Sequence, residues 1–265
     1  MTLEDDALES LDRSGLLKVL EWAAPVAFAR TGQDYDEEAG HDQMIIGSLN
    51  FVYLRDLLDR ATANGRYTLP DGANNLGEDI LGRGITPEAL RAMPQLPPGR
   101  VSRSDYKQSP GWAADGYRVL LQSFKYGEID HIKWGKRSEA KRCAASQSFI
   151  TQDTLFTDED FGLQAVVGIP GDDDFEGVTL VAAHSYEPLT GRFELYIGQS
   201  KNPEFRGDSC WHWRRLLLDA GTAPGLTRGG LFPVLPGSAP STQVEEIAVR
   251  IKKPQAGDGT ATSNG

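Results

Sequence analysis

The chain has 265 residues, 39% of them hydrophobic and 25% charged, a balance that suits a packed core in one large domain or two small ones. Its formal charge of −11 works against general attraction to nucleic acid, and no apolar run approaches the roughly 18 residues that span a bilayer, so no membrane partner is expected. Two cysteines, Cys143 and Cys210, exclude a disulfide framework and a four-cysteine zinc site. The acidic start, Met1-Thr-Leu-Glu-Asp-Asp6, has no apolar stretch behind a basic one, so a cytoplasmic location with two reduced thiols is expected.

In chain order, helical spacing of Leu16, Leu17, Leu20, Trp22 and Val26 predicts a helix over 4–31, with Ser14-Gly15 able to start or interrupt it. A polar loop, 31–40, leads to a second helix over 41–63, whose apolar side is read as Ile45, Leu49, Val52, Leu54, Leu57 and Leu58, with Asn64-Gly65 as a left-handed cap. Residues 66–100 are rich in Gly, Pro and Asn, with a short helix at 87–93 and a break at Pro94–Gly99. The pattern then turns to strands. Tyr117–Phe124 and Glu128–Trp134 read as a pair turning at Tyr126-Gly127. Leu163–Ile169 is an apolar run. Gly177–Tyr186 and Arg192–Gln199 form the clearest hairpin, with Pro188-Leu-Thr-Gly191 as its turn. Residues 211–219 suit a helix, 221–241 a connection, and 244–251 a last strand. The result is an α+β fold, N-terminal helices packed on a mainly antiparallel β-sheet. Its parts are a helical subdomain 1–98, a strand-rich subdomain 99–253 and a disordered tail 254–265.

Charge is unevenly spread. Residues 1–99 carry −9, 100–142 carry +5, 143–191 carry −9 and 192–265 carry +2. The basic segments 100–142 and 192–215 are candidate contacts for nucleic acid phosphate. The acidic stretches instead suit a basic protein partner. The acidic group Asp34, Asp36, Glu37, Glu38, His41 and Asp42 is explained by its place before a helix, where carboxylates favour the positive end of the dipole. Asp130 followed by Glu139-Ala-Lys141 has the order of a metal-and-lysine nuclease site, without the apolar neighbours that a strand there would need.

The most specific string is Tyr196-Ile-Gly-Gln-Ser-Lys-Asn-Pro-Glu-Phe-Arg206. It resembles the second half of the signature of the GIY-YIG nucleases, in which a Tyr-Ile-Gly strand precedes an asparagine and an arginine. The Gly-Ile-Tyr half is absent, since Thr179 stands after Gly177-Val178, although Tyr186 lies ten residues before Tyr196. The resemblance implies a metal-dependent nuclease, of a defence or repair type. Tyr186, Tyr196, Arg206 and His212 would act at the phosphodiester, and Glu245 or Glu246 would hold Mg²⁺ or Mn²⁺. The chemistry is coherent, because the arginine fork matches two phosphate oxygens and a carboxylate-held metal activates water. The reading without catalysis takes the same string as a hairpin in which Tyr196 packs and Gly198 makes a bulge. It leaves a non-catalytic acidic binding protein, immunity- or antitoxin-like, that meets a basic protein partner.

Overall fold

The computed structural model describes residues 2–69, 76–134, 138–147, 175–201 and 209–220, all of which fall in one unit, Met1–Phe232. The first predicted helix is two. Helix α1 (Leu3–Ser14) is closed at its start by a reciprocal capping box between Thr2 and Asp5. It ends at Gly15, whose φ of 82° is left-handed, and α2 (Leu16–Asp34) begins at once. A side chain at Gly15 would run into Leu96, so the junction needs glycine for space as well as for backbone freedom. Helix α3 (Gln43–Ala61) follows the polar turn and is capped by Asp42, which accepts from the amides of Met44 and Ile45. A 3₁₀ turn at Gly65–Tyr67 and two short helices, α4 (Glu78–Leu81) and α5 (Pro87–Ala92), complete this part.

Six strands then form one sheet in sequence order: β1 (Ser102–Arg103), β2 (Gly111–Ala114), β3 (Tyr117–Ser123), β4 (Val178–Glu187), β5 (Arg192–Ser200) and β6 (Trp211–Asp219). All neighbours are antiparallel except β3 and β4, which are parallel. A parallel pair needs a long crossover, and the 54 residues between the two strands contain the six-residue helix α6 (Glu139–Ala144). The expected α+β architecture is therefore present, and the β4–β5 hairpin pairs as predicted, with Ala183 opposite Tyr196 and Tyr186 opposite Phe193.

Three expectations fail for identifiable reasons. Glu128–Trp134 is not a strand but a 3₁₀ turn (Ile129–His131) with an extended exit, because Ile129, Ile132 and Trp134 are all buried on one side under Trp211. The true hairpin partner of β3 is β2, joined through Asp115-Gly116, both at positive φ (47° and 81°), as a two-residue hairpin turn requires. Residues 211–219 form a strand, not a helix, since they extend the sheet beside β5. The second helix stops at Ala61, short of the predicted cap. The segments 163–169, 221–241 and 244–251 and the tail 254–265 lie outside the described residues.

The near face of the sheet carries Val119, Leu121, Leu180, Ala182, Leu195 and Ile197, which share one core with α1, α2 and α3. Phe28 of α2 and Trp112 of β2 are fully buried in it, and truncating either to alanine should cost about 3–5 kcal/mol. The far face holds two smaller clusters. In one, Trp134 and Trp211 meet edge to face at 5.0 Å, and each indole donates to a backbone carbonyl, of Cys210 and Ile129. In the other, Leu120 packs under Ala140 and Ala144 of α6. Both cysteines are free. Among the described residues no helix is long and apolar enough to cross a membrane.

Candidate functional site

The side-chain alternation of a strand decides where the expected site residues go. Tyr186 lies on the near face of β4, where its ring stacks on Phe28 at 5.5 Å and 3° and its hydroxyl abuts Gly32 of α2. Tyr196 lies on the far face of β5, beside Phe124 at 6.1 Å. The two tyrosines therefore point to opposite sides of one sheet and do not share a site. Both phenols are pushed above their ordinary range, mainly by burial, and at Tyr196 Glu194 adds to the effect. His212 sits on β6 at the irregularity opposite Gln199 and Ser200. Burial first, and Lys201 second, pull its pKa down. Arg206, Glu245 and Glu246 lie outside the described residues.

The Tyr-Ile-Gly string has a structural cause. A Cβ at Gly198 would stand 2.5 Å from the Trp213 carbonyl oxygen and 3.0 Å from Cα of Arg214. Strand β6 thus crosses β5 at a distance that only glycine allows, between the register shifts at Leu195/Tyr196 and Gln199/Ser200. Around Tyr196 the far face also carries Arg214, its guanidinium 5.8 Å from the ring and bonded at 2.9 Å to Asp130. The second nuclease-like pattern separates in the same way. Asp130 is held by Arg214, while Glu139 on α6 pairs with Lys107 at 2.9 Å. Lys141 is half-buried, and desolvation brings it down to about 8. Among the described residues no three His, Cys, Asp or Glu side chains are placed to hold a metal ion.

Many cations of the basic segments are matched internally. Arg100 pairs with Asp115, Arg103 with Asp59 and Asp105, Lys125 with Glu128, and Arg215 with Glu4 of α1. Arg118 is buried, its guanidinium bonded to Thr179 and stacked 4.2 Å from the Tyr106 ring.

A different surface stands out on α3. Its core stripe is Ile46, Asn50, Leu54, Leu57, Leu58 and Ala61. Met44, Ile45 and Val52 fall out of phase with that stripe and are exposed by 71%, 37% and 43%. Met44, Ser48 and Val52 are spaced by one turn each and share one outer face. At its N-terminal end lies the turn 34–42, with five carboxylates and no lysine or arginine, all five exposed. Three are used locally: Asp34 accepts from the Tyr53 hydroxyl, Asp36 from the amides of Glu38 and Ala39, and Asp42 caps α3. The carboxylates of Glu37 and Glu38 make no hydrogen bond or ion pair among the described residues, which leaves two solvated charges beside the apolar stripe. An exposed apolar patch with a charged rim is the usual form of a protein contact. The residues were visible in the sequence, but assigning Ile45 and Val52 to the core side of the helix hid them. No family model, no curated protein and no solved structure matches the chain.

Proposed function

We propose that the chain is a non-catalytic binding protein that meets a basic protein partner across the outer face of α3. The observation that carries this reading is the exposure of Met44, Ile45 and Val52 directly after a turn whose Glu37 and Glu38 are unpaired. The apolar stripe would supply burial and the carboxylates would supply orientation and rate of encounter, so the matching partner surface is an apolar stripe flanked by lysine or arginine. Covering Met44 and Val52 removes two large side chains from water, each worth about 1.5–3 kcal/mol when fully buried.

A synthetic 18-residue amphipathic helix of leucine and lysine, fluorescently labelled, is a direct probe of such a surface. Its anisotropy titration should be saturable. The double change Met44→Ser and Val52→Ser should weaken it at least tenfold, and Glu37→Gln with Glu38→Gln should flatten its dependence on salt. Equal binding by all three proteins, or equal binding by polylysine, would reduce the effect to overall negative charge and sink the reading.

Phosphodiester hydrolysis with Mg²⁺ or Mn²⁺ is the second reading. In its favour, Tyr196 lies on a hairpin strand with a cation, Arg214, over its ring. Nicking of supercoiled plasmid that is lost in Tyr196→Phe and in Arg206→Ala would support it. No cleavage of DNA or RNA with either metal would end it.

A further inference from the structure

Along the C-terminal half of α3, and reaching Tyr53 and Arg30 beside Asp34, lies a cleft of about 520 Å³, within the range of small-molecule sites. Its walls come from α2, α3, the 3₁₀ turn and the strand β1, and they carry four arginines, Arg30, Arg55, Arg66 and Arg103, against three aspartates. The aspartates are already occupied. Asp56 accepts from the buried Arg60 at 2.7 Å, from the Tyr67 hydroxyl at 3.0 Å and from Arg66. Asp59 accepts from Arg103 and from the Trp112 indole at 3.0 Å. Asp105 is held by Arg103 and receives the Gly111 amide.

The arginines are not occupied to the same degree. Arg55 takes part in no ion pair within 4 Å among the described residues; its guanidinium stands 5.9 Å from the Phe51 ring, and its charge reaches Asp59 only at longer range. Arg30 lies flat over the Tyr53 ring at 4.2 Å and stands 3.9 Å from Asp34, a distance at which the pair is weak. Arg66 has a side chain 71% exposed at the mouth, tethered to Asp56 at one nitrogen. The cleft thus holds four arginines against three carboxylates, each of which already accepts from an arginine. The floor is poorly solvated, as the upward shift of the Asp59 carboxyl by burial shows, so a charge–charge contact there is less screened than at an open surface.

We infer that this cleft is a binding site for the phosphate dianion of a small molecule, with Arg55 as its principal ligand and Arg30 and Arg66 as flanking ones. The chemistry of the donors selects the ligand. A guanidinium fork matches two oxygens of a tetrahedral anion, and several forks facing one space favour a doubly charged group over a single carboxylate. Each of the three carboxylates is engaged by an arginine, and among the described residues no group of three His, Cys, Asp or Glu side chains is placed to hold a metal ion. The site is separate from the outer stripe of α3, which the basic partner would cover, but Val52 borders both, and Asp34 of the acidic turn meets Tyr53 and Arg30 in the cleft wall.

The probes are pyrophosphate, adenosine monophosphate, citrate and a single-stranded decanucleotide without terminal phosphates, each titrated into the full chain by calorimetry. Trp112 gives a second readout, because its indole is bonded to Asp59 and stacked 4.7 Å under Arg103. Pyrophosphate and the monophosphate should bind saturably and change Trp112 fluorescence, a change absent in Trp112→Phe. Arg55→Ala should weaken both at least tenfold, about the size of one charge-assisted hydrogen bond, and Arg55→Lys should recover only part of it. Arg91→Ala, at an exposed pair with Glu88 on α5, should leave binding unchanged. Thermal melting of each variant confirms that the fold is kept. No saturable binding of either phosphate compound, an equal loss in Arg55→Ala and Arg91→Ala, preference for citrate, or preference for the decanucleotide would each overturn the assignment.

Discussion

His184 is the clearest case of a residue whose chemistry follows from its burial. Its side chain is fully buried on the near face, 6.1 Å from the Phe28 ring, and neither ring nitrogen has a partner among the described residues. Desolvation first, and the charge of Lys141 second, pull its pKa down to about 3 from 6.5. The folded protein keeps the imidazole neutral while the unfolded chain takes up a proton near pH 6.5. Stability is therefore intact above that pH and falls as the pH drops toward 3. Between pH 6.5 and 5 the wild type should lose roughly 1.5 kcal/mol more than His184→Leu in urea unfolding, since one proton is worth about 1.4 kcal/mol per pH unit. Identical slopes would show that His184 is solvated or partnered in solution. The opposite sign, stability gained on acidification, belongs to Asp59, whose carboxyl is raised by burial, and it cancels in the comparison. Gly198 gives a second test. Gly198→Ala should destabilise by about 1–3 kcal/mol, because the new methyl meets the backbone of β6 rather than a side chain that could swing away. A neutral result would mean that the Tyr-Ile-Gly string owes nothing to the β5–β6 crossing. That string was legible as a strand and as a bulge. What the sequence could not show is that Tyr186 and Tyr196 alternate to opposite faces, because this depends on register.

At the level of elements, local signals were read well and long-range ones poorly. Helices α2 and α3 follow from their apolar period, the break at Gly15 from the glycine itself, and the β4–β5 hairpin from two β-rich runs around a turn. Strand β2 was missed although Asp115-Gly116 is the strongest of short hairpin signals, since the four residues Gly111–Ala114 are too short to show alternation. Gly116, at φ 81°, should resist replacement: Gly116→Ala should cost about 1 kcal/mol in unfolding free energy. A cost near zero would show that the turn relaxes. Strand β6 and the parallel pairing of β3 with β4 join residues far apart in the chain, and no local pattern carries that information. Helix α3 teaches the converse lesson. Its sequence holds more apolar residues than one stripe can bury, and the surplus, Met44, Ile45 and Val52, marks the surface that is free to be covered.

Over the whole molecule, the sheet divides two environments, and the candidate surfaces lie with the helices on its near side. The helical layer closes one large core, whereas the far face, among the described residues, carries two smaller clusters around two tryptophans and α6. Acidic charge gathers at the exposed turn before α3, and many basic side chains of the strand-rich part are neutralised within the fold. On the proposed reading, this distribution would give the chain a defined place to meet a basic partner, rather than a diffuse charge. The chain contains three methionines, Met1, Met44 and Met93, and the last is buried in the core. Methyl-labelled methionine therefore reports on the α3 face with an internal control. Titrating the labelled protein with the leucine–lysine helix should shift or broaden the Met44 methyl signal in step with binding, while the Met93 signal stays in place. Binding of the peptide with the Met44 methyl unmoved would contradict the account.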